Sequence, residues 1–164
     1  MDPEVLSQLE AFLFQVLGHL EQETGRVPVV VALGSNLGRR EHLVHGALTA
    51  LAQILHRLVV GPWVVSEPWG PVPQARYLNT VALGFTTRSV WDLLRIFKAL
   101  ERRAGRAGGQ RWGPRTLDLD LVFYGNLRME TPSLVVPHPR YRERPFVVEP
   151  LLHLLGAMGY WFEP

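Results

Sequence analysis

The sequence predicts an α+β fold in which helices pack against an antiparallel sheet. Segments with strand character and segments with helical periodicity follow one another in the order strand, helix, strand, strand, helix, strand. Residues 27–33 form a continuous apolar run, which is typical of a strand buried on both faces. In residues 117–124, large apolar side chains at every second position alternate with a second set that includes two Asp residues, as expected for a half-buried strand.

An amphipathic helix is predicted before the first strand, over residues 2–24. Asp2 can cap it, Pro3 fits its first turn and Gly25 fits its end. Apolar residues repeat at spacings of three and four and form one stripe along this helix. The stripe has two interpretations: it packs on the protein's own core, or it contacts a second copy in a dimer.

The remaining elements are delimited by glycine, proline and capping residues. A polar, glycine-rich loop spans 105–113, and a hairpin turn at 125–126 is expected to lead from strand 117–124 to residues 127–130. In chain order we predict a strand at 27–33, a helix at 39–55, strands at 58–66 and 78–86, a helix at 89–104, a strand at 117–124 and a helix at 146–155. This β-α-β-β-α-β order predicts a ferredoxin-like sandwich, with helices on one face of an antiparallel sheet.

Length and composition restrict the class of protein. A chain of 164 residues suits one domain with its own core, which we divide into an N-terminal helical extension, 1–26, and a domain over 27–164. The absence of Cys excludes a disulfide framework, a thiolate zinc site and a cysteine nucleophile. No basic leader and no apolar run of ~20 residues is visible. We therefore expect a cytoplasmic protein without a membrane partner.

Charge is distributed unevenly along the chain. Residues 1–25 carry five acids and neither Lys nor Arg. Residues 95–144 carry eleven Lys and Arg side chains against five acids. A localised positive field indicates a polyanionic partner, either a nucleic acid or the phosphates of a nucleotide.

Two carboxylates, Asp118 and Asp120, lie two residues apart in the strand predicted at 117–124. Residues at this spacing project from the same face of a strand, about 6–7 Å apart. Such a pair repels unless a cation or a proton intervenes, and Mg²⁺ prefers one or two carboxylates completed by phosphates and water. The alternative is an exposed acidic face paired with neighbouring arginines.

Arginines flank this strand on both sides, at positions that can bind phosphate. Those in or beside the glycine-rich loop are Arg106, Arg111 and Arg115, and those that follow His138 are Arg140, Arg142 and Arg144. A loop bearing Arg beside an Asp pair is typical of a phosphoryl-transfer site that closes over a nucleotide, with His138 as a further donor to phosphate. The pattern G-x-x-x-x-G-K-[ST] is absent, so side chains and metal would hold the nucleotide. The alternative is a solvated basic face.

Five blocks of the sequence resemble the 6-hydroxymethyl-7,8-dihydropterin pyrophosphokinase family of folate biosynthesis. They are VALGSNLG (31–38), SEPWGP (66–71), YLNTV (77–81), RWGPRTLDLDLVFYG (111–125) and VPHPRYRERPFV (136–147). The blocks occur in the family's order over residues 29–155. The resemblance implies the same ferredoxin-like fold and the transfer of pyrophosphate from ATP to the hydroxymethyl group of a reduced pterin, with release of AMP.

The resemblance also implies a role for individual residues. Asp118 and Asp120 would hold two Mg²⁺ ions that bridge the ATP phosphates. The pterin would contact Ser66, Trp69, Tyr77, Asn79 and Phe146, with Tyr77 and Phe146 stacked on opposite faces of its ring. ATP would contact Lys98, Glu101, Arg111, Trp112, Arg115, His138 and Arg144, while Arg106 and Arg115 would close onto charge that develops on the phosphates.

Two functions from other classes remain alternatives at this point. A ferredoxin-like RNA-binding domain would need exposed aromatics and basic residues on its sheet, whereas these strands are apolar and no RNP-like run occurs. A dimerisation module would leave the pair of Asp residues unexplained. The sequence therefore favours small-molecule substrates, ATP and a reduced pterin, over a nucleic acid.

Overall fold

Antiparallel pairing organises the main sheet. The computed structural model describes residues 2–36, 39–68, 70–71, 73–105 and 117–164. The helices within these ranges are α1 (Pro3–Thr24), α2 (Arg40–Ile54), α3 (Val90–Arg103) and α4 (Pro145–Ala157), with a 3₁₀ turn at Tyr141–Glu143. The strands are β1 (Val27–Ser35), β2 (His56–Val60), β3 (Val64–Ser66), β4 (Tyr77–Thr86), β5 (Asp118–Tyr124), β6 (Met129–Glu130) and β7 (Val135–Val136).

The strand order of the main sheet is β2-β4-β1-β5, and β3 also pairs with β4. The pairings of β1 with β4 and β5, and of β4 with β2 and β3, are all antiparallel. β1 and β4 form its centre and are buried along almost their whole length. The expectation of an α+β fold with an antiparallel sheet is confirmed.

Helices cover both faces of this sheet. Val29 and Val31 of β1 face a core that they share with α2 and α3, whereas Val30 faces a core shared with α1 and α4. The sequence analysis placed helices on one face, and this was wrong because it did not place α1 and α4. A central strand that is apolar on both faces needs cover on both.

The N-terminal helix forms as predicted. The Asp2 side chain accepts a 2.8 Å hydrogen bond from the Glu4 amide, and Gly25 ends the helix with a φ of 69°. Its apolar stripe packs on the chain's own sheet, which confirms the first of the two interpretations. The buried members of the stripe are Leu9, Leu13, Val16, Leu17 and Leu20. Among the described residues, no helix is both long enough and apolar enough to cross a bilayer.

Two local predictions were wrong. The strand expected at 58–66 is divided into β2 and β3, because Pro62 has no amide hydrogen and the backbone of α4 approaches closely at Gly61. A Cβ on Gly61 would lie 2.9 Å from the Pro150 carbonyl oxygen. In the expected hairpin, Gly125 does turn the chain, with a φ of 52°, but β6 pairs with β7 and not with β5.

Candidate functional site

A row of polar positions crosses three strands at one end of the sheet. The end of β1 meets the beginnings of β4 and β5, so that Gly34 lies opposite both Asn79 and Asp118. Directly opposed residues point to the same face. Asp120, two residues along β5, lies opposite Ala32, which packs against the α1 and α4 core. The Asn79 amide and both carboxylates therefore share the α1 and α4 face.

Gly34 permits the close approach of Asn79. A Cβ at Gly34 would lie 2.9 Å from Asn79 Oδ1 and 3.5 Å from Cδ1 of Tyr77. The amide cannot easily move away, because Asn79 Nδ2 donates 2.7 Å and 3.3 Å hydrogen bonds to Ser66 Oγ and the Val64 carbonyl oxygen. Gly34 was not among the predicted site residues, although a glycine that interrupts an apolar strand is a signal of close approach.

Three of the residues that the resemblance assigns to the pterin, Ser66, Tyr77 and Asn79, lie together. Ser66 of β3 pairs directly with Tyr77 of β4, and Asn79 follows on the same face. Asn79 is only 6% exposed, whereas Tyr77 and Ser66 are half-buried. One buried amide therefore lies beside an accessible aromatic ring. Trp69 lies outside the described residues.

Asp120 faces the segment that leads into α4. Arg144 Nη1 lies 3.8 Å from Asp120 Oδ2. The guanidinium carbon of Arg144 lies 5.8 Å from the centre of the Phe146 ring. Arg144 thus connects the carboxylate of β5 with the second aromatic residue of the predicted clamp, and its charge offsets part of the negative charge of the Asp pair.

His138 is fixed beside the same carboxylate. Its amide donates a 2.9 Å hydrogen bond to the Val122 carbonyl oxygen of β5, and its Nδ1 accepts one of 3.2 Å from the Arg140 amide. Burial lowers the pKa of His138 below its usual value of 6.5, and the Asp120 charge opposes this only partly. The ring is therefore neutral at pH 7, with its proton on Nε2, and this group can donate to a phosphate oxygen.

Glu101 approaches from the other side of the sheet. It is 6% exposed on α3, and its Oε2 accepts a 2.9 Å hydrogen bond from the Leu119 amide, midway between the two Asp residues. β5 is an edge strand, so this bond fixes backbone that the sheet itself does not pair. Lys98 lies about one turn earlier on α3 and is exposed. The sequence analysis missed the role of Glu101 in holding β5.

The side chains of the site include groups that can bind a metal ion. The part of the chain that the structure describes holds no group of three or more His, Asp or Glu side chains placed to bind a metal. Asp118 and Asp120 supply two carboxylates, which suits Mg²⁺ because its other ligands are commonly substrate phosphates and water. The predicted site residues Arg106, Arg111, Trp112 and Arg115 lie outside the described residues.

Along one face of the sheet, the site combines paired carboxylates, a histidine and an arginine with a buried amide and an aromatic ring. Groups of these kinds can bind phosphate and a flat polar ring. The model of the 7,8-dihydro-6-hydroxymethylpterin-pyrophosphokinase (HPPK) family matches residues 30–156. The chain belongs to this family, and the resemblance drawn from the sequence motifs is confirmed.

Relatives support the assignment across bacteria and plants. The chain is 43% identical over 128 residues to the 2-amino-4-hydroxy-6-hydroxymethyldihydropteridine pyrophosphokinase of Pseudomonas aeruginosa. The matched region covers 77% of this chain and 79% of that protein. It is 37% identical over 134 residues to the protein of the same name from Haemophilus influenzae, with 80% and 84% covered. It is also 37% identical over 143 residues to a mitochondrial folate synthesis bifunctional protein of Arabidopsis thaliana, covering 84% of this chain but 25% of the plant protein.

Proposed function

We propose that this chain transfers pyrophosphate from ATP to the hydroxymethyl group of 6-hydroxymethyl-7,8-dihydropterin in folate biosynthesis. The pterin hydroxyl oxygen forms a bond to the β-phosphorus, the bond from that phosphorus to the α,β-bridging oxygen breaks, and AMP leaves. Such a reaction depends on in-line placement and on neutralised charge more than on covalent help from the protein.

The row Asn79–Gly34–Asp118 is the observation that carries this proposal. It sets a buried amide and a carboxylate on one face, with a glycine between them. An amide can pair with the polar edge of a pterin, and a carboxylate pair suits the metal that accompanies ATP. The glycine leaves room for a substrate that extends from one group toward the other.

Asp118 and Asp120 are proposed to hold two Mg²⁺ ions. The support is their shared face on β5 and the chemistry of two carboxylates without a third protein ligand among the described residues. When bound, the ions would neutralise phosphate charge and lower the pKa of the pterin hydroxyl. Glu101 keeps the backbone between the two carboxylates in place.

The nucleotide is proposed to lie on the His138 side of the Asp pair. His138 can donate from Nε2 to a phosphate oxygen, and Arg144 can bind a second oxygen once ATP competes with Asp120 for its guanidinium. The remaining ATP contacts proposed from the resemblance are Lys98, Glu101, Arg111, Trp112 and Arg115. Arg106 and Arg115 would act on the charge that develops as the bridge to AMP breaks.

The pterin is proposed to lie between Tyr77 and Phe146, with its polar edge toward Asn79. One support is that the half-buried Tyr77 lies beside the buried Asn79 amide. The other is that the Arg144 guanidinium contacts both the Phe146 ring and the Asp120 carboxylate. Stacking between two rings favours a flat heteroaromatic molecule, and matched hydrogen bonds at its edge provide specificity. Ser66 and Trp69 complete this proposed site.

The domain division, the cellular location and the oligomeric state of the protein are also proposals. We assign a ferredoxin-like domain over 27–164 with an extension over 1–26, on the basis of the strand order and of α2 and α3 sharing one face. A cytoplasmic location fits a chain without Cys. A dimer through α1 has less support than a monomer, because the apolar stripe of α1 is buried within the chain.

AMP formation tests the activity directly. Purified protein with ATP, Mg²⁺ and 6-hydroxymethyl-7,8-dihydropterin is expected to yield AMP and pterin diphosphate in equal amounts, and omission of the pterin should abolish AMP. Asp120→Asn supplies the inactive control, and Asp92→Asn supplies the active one, because Asp92 lies in the first turn of α3 and pairs with Arg95. Binding of RNA without any turnover of ATP would overturn the proposal.

A further inference from the structure

We infer that Glu10 of α1 is a positioning residue for the nucleotide side of the site, acting through Tyr141 on the segment that carries His138 and Arg144. The inference rests on the proposed function, because it assigns these two residues to ATP. It concerns a part of the chain that the family model does not match, since that match begins at residue 30.

Glu10 contacts two groups from the other end of the chain. The Tyr141 hydroxyl donates a 3.3 Å hydrogen bond to Glu10 Oε1, across 131 positions of sequence. Arg128 Nη1 lies 3.7 Å from Glu10 Oε2, and its guanidinium carbon lies 4.2 Å from the centre of the Phe14 ring of α1. The Glu10 side chain is 23% exposed, so this carboxylate lies in a seam that water reaches only partly.

Tyr141 is held at both ends of its side chain. Its ring packs edge-to-face on Phe123 of β5, with centroids 4.9 Å apart, and only 2% of the residue is exposed. Burial, reinforced by the Glu10 charge, raises the pKa of the Tyr141 hydroxyl, so it remains a donor at any physiological pH. A buried hydroxyl without an acceptor is costly, and Glu10 supplies that acceptor.

Tyr141 in turn fixes the two residues proposed to contact ATP. Its amide donates to the His138 carbonyl oxygen at 3.2 Å, and its own carbonyl oxygen accepts from the Arg144 amide at 3.1 Å. The segment 138–144 is bonded at both ends, because the His138 amide donates to the Val122 carbonyl oxygen of β5 and the Arg144 carbonyl oxygen accepts from amides in the first turn of α4. Between these ends lies one 3₁₀ turn, which begins at Tyr141, and the backbone of Tyr141 bonds to both ends. A shift of the Tyr141 ring is therefore transmitted to both His138 and Arg144.

The geometry distinguishes this role from general packing. α1 buries its apolar stripe in the core through other side chains, whereas Glu10 bonds to the Tyr141 hydroxyl and also pairs with Arg128. Loss of that bond should displace the 138–144 segment while the sheet and the pterin residues of β4 stay in place. ATP affinity and pterin affinity should then respond differently.

Four single variants, the double variant Glu10→Ala with Tyr141→Phe, and two readouts test the inference. Glu10→Ala and Tyr141→Phe each remove the bond, Glu10→Gln keeps an acceptor oxygen, and Glu23→Ala is the control on the same helix, since Glu23 pairs with His19. The readouts are hydrogen exchange of the His138, Tyr141 and Arg144 amides, measured without ligand, and steady-state kinetics with ATP and pterin.

The two bond-breaking variants are expected to raise the KM for ATP about fivefold, a part of what a lost hydrogen bond to a charged group can cost. They should leave the KM for pterin within about twofold, and accelerate exchange of the Tyr141 and Arg144 amides about tenfold. The double variant should be no worse than the poorer single one, because both remove the same bond. Glu10→Gln and Glu23→Ala should behave like the unmodified protein.

Two results would overturn the inference: unchanged exchange and ATP kinetics in both bond-breaking variants, or an equal rise of both KM values with faster exchange throughout the sheet, which indicates only lost stability. Failure of the proposed function has a different signature. The unmodified protein would then make no AMP, while the amides of the 138–144 segment would still exchange faster in Glu10→Ala and Tyr141→Phe. The link from Glu10 to this segment would then stand, but its role in ATP binding would not.

Discussion

Replacing Gly34 by Ala tests whether the close approach of β1 to Asn79 determines pterin recognition. The added Cβ would lie 2.9 Å from Asn79 Oδ1, whereas ordinary contact begins near 3.4 Å, so the amide must move by about 0.5 Å. Such a shift strains the 2.7 Å bond from Asn79 Nδ2 to Ser66 Oγ and misdirects the group that would pair with the pterin. Loss of one to two neutral hydrogen bonds corresponds to about 1–2 kcal/mol, or roughly 5- to 30-fold in affinity.

The assay is calorimetric titration of 6-hydroxymethyl-7,8-dihydropterin into protein saturated with Mg²⁺ and a non-hydrolysable ATP analogue. Gly46→Ala is the matched control, because Gly46 lies within α2 and a Cβ there meets nothing within 4 Å. It should stabilise the fold by about 0.5–1 kcal/mol and leave pterin binding unchanged. In an Asn79→Ala background, Gly34→Ala should cost little further affinity. Pterin binding by Gly34→Ala within twofold of the unmodified protein would refute the reasoning.

Three further predictions concern the rest of the site. Asp118→Asn or Asp120→Asn should lower AMP formation by about a thousandfold or more, because phosphate charge is left uncompensated. Tyr77→Ala and Phe146→Ala should each weaken pterin binding by about 1–3 kcal/mol, and Phe146→Leu should be milder, as titration would show. Glu101→Ala should lower the free energy of unfolding in urea by about 1–3 kcal/mol, since a buried amide of β5 loses its acceptor, and Glu101→Gln should lose less.

Features that depend on neighbours in the sequence could be predicted. The ends of α1 follow from Asp2 and Gly25, because a cap acts on its own first or last turn. That Asp118 and Asp120 share a face follows from the two-residue period of a strand. The blocks that resemble the family predict that the site residues meet in one region, and among the described residues Ser66, Tyr77 and Asn79 do so.

Features that depend on contacts between distant parts of the chain could not be predicted from the sequence. The division of the strand at 58–66 is set by the approach of α4 to Gly61, and the partner of β6 is β7 rather than the adjacent β5. The sequence around Glu101 shows an amphipathic helix but not the edge amide that this carboxylate accepts. Likewise, nothing near Glu10 reveals a bond to Tyr141, because the two residues are 131 positions apart in the sequence.

The position of the row within the sheet explains why the two halves of the proposed site can act together. Asn79 and Asp118 belong to β4 and β5, which lie on either side of β1 and are therefore separated by two strand spacings, about 10 Å. β1 is buried on both faces, so this separation is held by both cores rather than by a loop. A substrate whose ring pairs with Asn79 would extend over Gly34 and bring its reactive arm toward the Asp pair. In the proposed site, the distance between Asn79 and the Asp pair is thus set by the sheet itself, whereas the segment 138–144, which would contact the nucleotide, is tied to α1 through Glu10.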